Sequence, residues 1–298
     1  MMITMKKSLK TMTKVHIAFF GTAPLAIQVL DALEHAGYMP SLIVAGPDTI
    51  EPRKKTIQFP PEKIWGIAHN IEVVQPKKID TGFVGSLKTK EWDVFIVASY
   101  GKILPKALLE IPSHGVLNVH PSLLPRLRGP SPMRSAILND EKEIGVSIIL
   151  LDDEMDHGPI IAQKKVAISD WPPHGAELDA RLAHEGAELL AAYLPKWLAG
   201  EIDAHEQNHD LATYCEMFRK EDGLIDLGGD ARKNLLKIRA LEGWPGTYSF
   251  FEKEGKKIRI KILDAHLEGG ELKIDRVIPE GKREMNYEEF SRSGIKPV

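Results

Sequence analysis

Short apolar runs alternate with stretches in which apolar positions recur every three or four residues. Val15–Phe20, Leu42–Ala45, Val73–Val74, Asp93–Ala98, Gly115–His120 and Gly145–Leu151 read as strands, with Ile160–Ile168 as an edge strand. Helical spacing covers Ala26–Ala36, Phe59–Asn70, Gly82–Thr89, Pro132–Leu138 and a long stretch from Gly175 to about Leu198. Apolar strands alternating with helices predict an α/β fold, a parallel sheet with helices on both faces. Beyond Gly200 the texture changes. Thr247–Phe251, Lys257–Leu263 and Glu271–Val277 alternate between glycines, the pattern of a small β-barrel or sandwich. The pattern predicts a catalytic domain over residues 14–202, a linker over 203–213 within the polar stretch Glu201–Thr213, and a second domain over 214–298. No internal repeat or low-complexity tract interrupts it.

A chain of 298 residues suits one large domain and a smaller one. Its formal charge of −3 gives no global basic signature, so any nucleic-acid contact must rest on local patches. No apolar run reaches the roughly 18 residues of a membrane helix. The single cysteine, Cys215, excludes an internal disulfide and a cysteine metal cluster, and suits a reducing, cytoplasmic setting. Residues 1–13 carry Lys6, Lys7 and Lys10 but no secretory pattern, and are expected to be a disordered leader.

The first turn, Gly21-Thr22-Ala23-Pro24, lacks the further glycines of a dinucleotide fingerprint, and no Gly-Lys-Ser/Thr phosphate loop follows. The chemistry lies elsewhere. In Gly115–His120, Leu117 and Val119 face one way and Asn118 and His120 the other, where the strand gives out into a proline-broken loop. Open α/β sheets bind ligands at that end of a strand. Asp152-Asp153-Glu154-Met155-Asp156 follows the strand Gly145–Leu151; a connection of about 25 residues containing one helix predicts the two strands to be parallel neighbours, which puts this loop on that edge. Asn, His and Asp together suit attack of an amine on an acyl carbon: the amide and imidazole are donors for an oxyanion, and a carboxylate favours the charged imidazole. A satisfied structural network is the alternative reading of the Asn–His pair, and a solvated turn that of the acidic loop. No nucleophile elbow is present and Cys215 falls in the expected second domain, so direct transfer is the simplest scheme. The acidic loop lacks EF-hand spacing, and no metal is expected.

Ordered matches run along most of the chain: Phe20-Gly21-Thr22, Pro47-Asp48, Gln75-Pro76, Tyr100-Gly101-Lys102-Ile103-Leu104-Pro105, Asn118-Val119-His120, Ser122-Leu123-Leu124-Pro125 with Arg128-Gly129, Gly145-Val146-Ser147-Ile148 and Asp156-His157-Gly158. Through them the chain resembles the folate-dependent formyltransferases. The resemblance implies a Rossmann-like N-terminal domain, an OB-like C-terminal barrel, and 10-formyltetrahydrofolate as formyl donor. It implies catalytic roles for Asn118, His120 and Asp156. It also implies folate contacts from Tyr100, Gly101, Ile103, Leu104, Pro105, Ser122, Leu123, Leu124, Pro125, Leu151, Asp152 and Asp153.

The acceptor is read from other segments. Pro47–Lys63 is long for a strand-to-helix connection and carries Arg53-Lys54-Lys55. Family members that act on aminoacylated tRNA insert the equivalent loop at the acceptor stem, with Arg53 matching its arginine. Lys257, Arg259 and Lys261 alternate on one strand face near Lys253 and Lys256, a stripe suited to a phosphate backbone; a solvated face is the plain alternative. Glu221-Asp222-Gly223-Leu224-Ile225-Asp226 and Trp244-Pro245-Gly246-Thr247 resemble junction and turn segments of the same members. The implied activity is formylation of the α-amine of methionyl-tRNA, an initiator tRNA, by a cytoplasmic monomer; Leu25 replaces an aromatic that family members place near the methionine side chain. The rival acceptor is an amino-sugar nucleotide, whose enzymes share the Asn/His/Asp set but need neither the Arg53 loop nor the stripe. A noncatalytic RNA-binding protein is the rival of another class, and the intact Asn/His/Asp set argues against it.

Overall fold

The computed structural model describes residues 14–22, 24–51, 55–253, 255–292 and 296–297. The leader 1–13, Arg53 and Lys54 lie outside the described residues. In chain order the N-terminal domain runs β1 (Ile17–Gly21), α1 (Leu25–His35), β2 (Leu42–Val44), β3 (Thr49–Ile50), β4 (Ile57–Gln58), α2 (Pro61–Ala68), β5 (Glu72–Val74) and α3 (Thr81–Leu87). It continues through β6 (Val94–Ala98), α4 (Lys106–Leu109), β7 (Val116–His120), α5 (Pro132–Leu138), β8 (Ile144–Leu150), β9 (Ile160–Val166) and α6 (Gly175–Leu198). Then come α7 (Ala231–Ala240), β10 (Thr247–Lys253), β11 (Lys256–Glu268), β12 (Glu271–Pro279), β13 (Met285–Asn286), α8 (Tyr287–Ser291) and β14 (Lys296–Pro297).

Seven strands form one sheet in the order β5-β2-β1-β6-β7-β8-β9. The first five are parallel, and the order reverses between β1 and β6, so the domain is Rossmann-like. β8 and β9 depart from expectation: β8 runs antiparallel to β7, with His120 opposite Ser147 and Leu117 opposite Leu150, and β9 is antiparallel to β8. The loop after β8 therefore starts at the amino end of β7, and the parallel-edge argument for Asp156 fails. An apolar run does not encode its direction.

One sheet face, with Leu117 and Val119, packs under α1 and α6 through Val29, Leu33, Leu182 and Leu190. α6 crosses β7 closely at Gly186, where a Cβ would stand 2.7 Å from a Val119 methyl. The opposite face, with Phe20, Phe95, Val97 and Val116, packs under α3 and α4 through Val84, Leu87 and Leu108. Asp80 caps α3 by accepting from the Phe83 N–H.

The C-terminal part forms a five-stranded antiparallel sheet, β13-β12-β11-β10-β14, with a bulge near Asp264. The α7 helix, absent from the sequence reading, serves two cores: Leu236 and Ala240 enter the core beneath the first sheet, while Leu235 and Ile238 pack with Ile262 and Ala265. Among the described residues no helix is long and apolar enough to cross a membrane.

Candidate active site

Asn118 and His120 project from the sheet face opposite Leu117 and Val119, as the strand period requires. Asp156 reaches them by a loop that folds back over the sheet from the far end of β8. Its Oδ1 accepts from Asn118 Nδ2 at 3.3 Å and lies 3.5 Å from His120 Nδ1, while its Oδ2 accepts from the Gly129 N–H at 2.8 Å. His120 is 4% exposed, and its Nε2 lies 2.9 Å from the Leu127 carbonyl. A carbonyl only accepts, so Nε2 carries a proton and Nδ1 is the nitrogen that faces the site. An amide donor, an imidazole nitrogen and a carboxylate thus converge at the carboxyl end of β7.

The loop after β7 is held by buried hydroxyls. Ser147 Oγ donates to the Ser122 carbonyl at 2.7 Å and accepts from Leu124 N–H and Gln163 Nε2, at 3.2 and 2.9 Å. Ser122 Oγ donates to the Arg126 carbonyl. Ser122 and Leu124 are buried and hold this loop in place, while Leu123 and Pro125 are half-buried. β6 is parallel to β7, so Tyr100 to Pro105 leaves the same edge as His120. Ile103 there is 90% exposed, while Tyr100, Leu104 and Leu151 pack on the same core. The Tyr100 hydroxyl has no hydrogen-bond partner among the described residues, and burial pushes its pKa up to about 12, so it stays a donor. Gly101 and Asp153 are exposed, and Pro105 and Asp152 half-buried. Leu25 is 2% exposed within the core and lines no open surface.

The stretch expected as a linker is docked on this site, and the sequence reading missed its residues. Thr213 O accepts from Arg128 N at 2.8 Å, Cys215 N donates to Arg128 O at 2.8 Å, and Thr213 Oγ1 accepts from Leu127 N at 2.9 Å. Cys215, expected in the other domain, is buried in the core beneath the first sheet, and burial pushes its thiol pKa up, which does not suit a nucleophile. Gln207 is buried and hydrogen-bonded to both the 156–158 loop and Arg128. His209 stacks on His157 with ring centroids 4.0 Å apart. A lone glutamine in a polar stretch carries no pattern, but the Arg128-Gly129 motif was the visible half of this contact.

Two further segments carry cations. Lys63 donates to both Asp48 oxygens at 2.8 and 2.7 Å and to Gln75 at 2.8 Å, holding the Asp48 carboxyl below the usual range. This network roots the connection that follows Pro47, which is a two-stranded hairpin rather than a plain loop. Ile50 pairs with Ile57, both exposed, and Lys55 is exposed near the tip. On β11, Lys257, Arg259 and Lys261 are exposed and alternate with Ile258, Ile260 and Ile262. Arg259 lies over Tyr248 at 3.8 Å and Lys257 over Phe250 at 4.3 Å, so the stripe is interleaved with aromatics on β10. Among the described residues no group of three or more His, Cys, Asp or Glu is arranged to hold a metal ion.

The formyl transferase family profile matches residues 13–194. A methionyl-tRNA formyltransferase of Chloroflexus aurantiacus is 42% identical over 249 residues, covering 83% of this chain and 79% of that protein. One from Thermodesulfovibrio yellowstonii is 36% identical over 292 residues, covering 92% and 94%. Among solved structures, the N-formyltransferase of Helicobacter canadensis, in complex with folinic acid and dTDP-3-aminofucose, superposes with a TM-score of 0.64 at 16% identity, covering 85% of this chain and 88% of that one. That last likeness is one of fold.

Proposed function

The chain belongs to the formyl transferase family, and on that premise we propose that it transfers the formyl group of 10-formyltetrahydrofolate to the α-amine of methionyl-tRNA. The convergence of Asn118, His120 and Asp156 carries the reaction class. The free amine attacks the formyl carbon, forming the new C–N bond. Asn118 Nδ2 and, in the doubly protonated imidazole, the Nδ1–H of His120 hold the oxyanion of the tetrahedral intermediate. Asp156 orients His120 and takes the ammonium proton, through water, and that proton leaves on the folate nitrogen as its bond to the formyl carbon breaks. Tyr100, Gly101, Ile103, Leu104, Pro105, Ser122, Leu123, Leu124, Pro125, Leu151, Asp152 and Asp153 are the residues proposed to meet the folate.

Relatives named for methionyl-tRNA, aligned over 92% of the chain in one case, support the acceptor. So does the stripe of Lys257, Arg259 and Lys261 over Tyr248 and Phe250, since cations track phosphates and aromatic faces take bases. We read the C-terminal sheet as part of an OB-like tRNA platform, Arg53, Lys54 and Lys55 as acceptor-stem contacts, and the setting as cytoplasmic.

Formyl-labelled folate offered with methionyl-tRNA or an amino-sugar nucleotide should label the tRNA alone; labelling of the sugar alone would sink the proposal. KM for tRNA should rise steeply with salt. Replacing Lys257, Arg259 and Lys261 together by alanine should reduce the log–log salt slope by about 2 to 3. An unchanged slope would remove the stripe from the interface. Arg53→Ala should lower kcat/KM for methionyl-tRNA and leave folate binding unchanged; equal activity would remove the arm.

A further inference from the structure

Asp156 has φ of 49°, in the left-handed region that a residue with a side chain adopts at a cost. Its carboxylate is fixed by Asn118, His120 and Gly129, but those contacts do not hold the backbone turn. Gln207 does. It is 5% exposed, and its Nε2 donates to the carbonyls of Asp156 and Gly158, each at 2.8 Å. Its Oε1 accepts from Arg128 Nε at 3.1 Å and Nη2 at 2.6 Å. A guanidinium only donates, so the amide oxygen must face Arg128 and the NH2 must face the two carbonyls. Arg128, 2% exposed, also donates to His209 Nδ1 at 2.8 Å and to the Tyr214 hydroxyl at 3.4 Å.

We propose that Gln207 is a positioning residue for formyl transfer, clamping the Asp156 and Gly158 carbonyls so that the Asp156 carboxylate stays within reach of Asn118 and His120. The inference rests on the proton-handling role proposed above for Asp156. Glutamine suits the place because it joins an acceptor for Arg128 to two donors for the loop. Glutamate keeps the acceptor but sets an oxygen against two carbonyl oxygens. Leucine keeps the volume and leaves buried Arg128 without its acceptor.

The full chain with Gln207→Glu should lose single-turnover formyl transfer on the order of 10²-fold, the scale of a misplacement near 1 Å. KM for the folate donor should move less than about three-fold, since ground-state binding is not what the clamp supplies. Tm should hold, because Arg128 gains a carboxylate partner. Relative to the unsubstituted protein, Gln207→Glu should recover part of its rate as pH falls, when the protonated carboxyl again donates to a carbonyl; Gln207→Leu should show no such recovery. An undiminished rate in Gln207→Glu, or losses that follow Tm with no pH-dependent recovery, would overturn the proposal. Hydrogen exchange gives an arm independent of activity. The amides of residues 152–158 should exchange faster in both variants while those of β7 do not change, and unchanged exchange also overturns the clamp. Should the unsubstituted protein leave methionyl-tRNA unformylated, the functional reading falls, and this exchange arm still decides the role of Gln207.

Discussion

Alanine at Asn118 should slow the chemical step of formyl transfer by roughly 10²–10³, about 3 kcal/mol of transition-state stabilisation. The side chain stands on a strand paired on both sides, with Val97 and Ile149 as its register partners, so truncation leaves the backbone in place. Its Nδ2 is 3.3 Å from Asp156 Oδ1, and the second N–H of the same nitrogen is the donor proposed for the oxyanion. Because that hydrogen bond strengthens only as charge develops, kcat should fall and KM for the folate should change little. Single-turnover measurement separates the chemistry from product release. A variant that transfers formyl at an undiminished single-turnover rate would mean that Asn118 is a structural partner of Asp156 and no oxyanion donor.

Gly129→Ala should cost both stability and activity, for one geometric reason. Gly129 has φ of 115°, where L residues are strained by about 1–3 kcal/mol. An alanine Cβ there would stand 2.3 Å from the Cys215 carbonyl oxygen. That carbonyl cannot simply retreat, because Cys215 N donates to Arg128 O and Arg128 N donates to Thr213 O, each at 2.8 Å. Relief must come from Gly129 itself, whose N–H holds Asp156 Oδ2 at 2.8 Å. The denaturant midpoint should fall, and formyl transfer by the protein that remains folded should drop on the order of 10²-fold. Gly85→Ala on α3 is the control: its Cβ meets open space, so stability should be unchanged or raised by up to about 1 kcal/mol. Equal behaviour of the two variants would show that the close approach at Gly129 is not a constraint.

Much of this site was legible because two polar residues interrupt an otherwise apolar strand, and the strand period alone puts Asn118 and His120 on one face. The long α6 was legible for the same kind of reason, its apolar positions repeating over 24 residues. Asp156 was singled out by sequence for the wrong geometric reason. Strand direction leaves no mark in an apolar run, and the loop from β8 arrives by folding back rather than by sharing an edge. The α7 helix was missed although Asp230 caps it, accepting from the Lys233 N–H, because its short apolar face is flanked by charges. Gln207 was invisible altogether. Its partner Arg128 lies 79 residues away, and no local periodicity records a contact of that span.

The docking of residues 205–215 against the loop after β7 bears on how such a chain can be recombined. The match to the family ends at residue 194, ahead of Gln207, Thr213 and Cys215. An exchange of C-terminal halves between relatives at that point would carry away the residues that hold Arg128, Gly129 and the turn at Asp156. A crossover beyond α7, whose Leu236 and Ala240 also enter the first core, keeps them with the first sheet and lets the C-terminal sheet vary. The natural seam of this protein therefore lies beyond α7, well past the edge of its matched domain at residue 194.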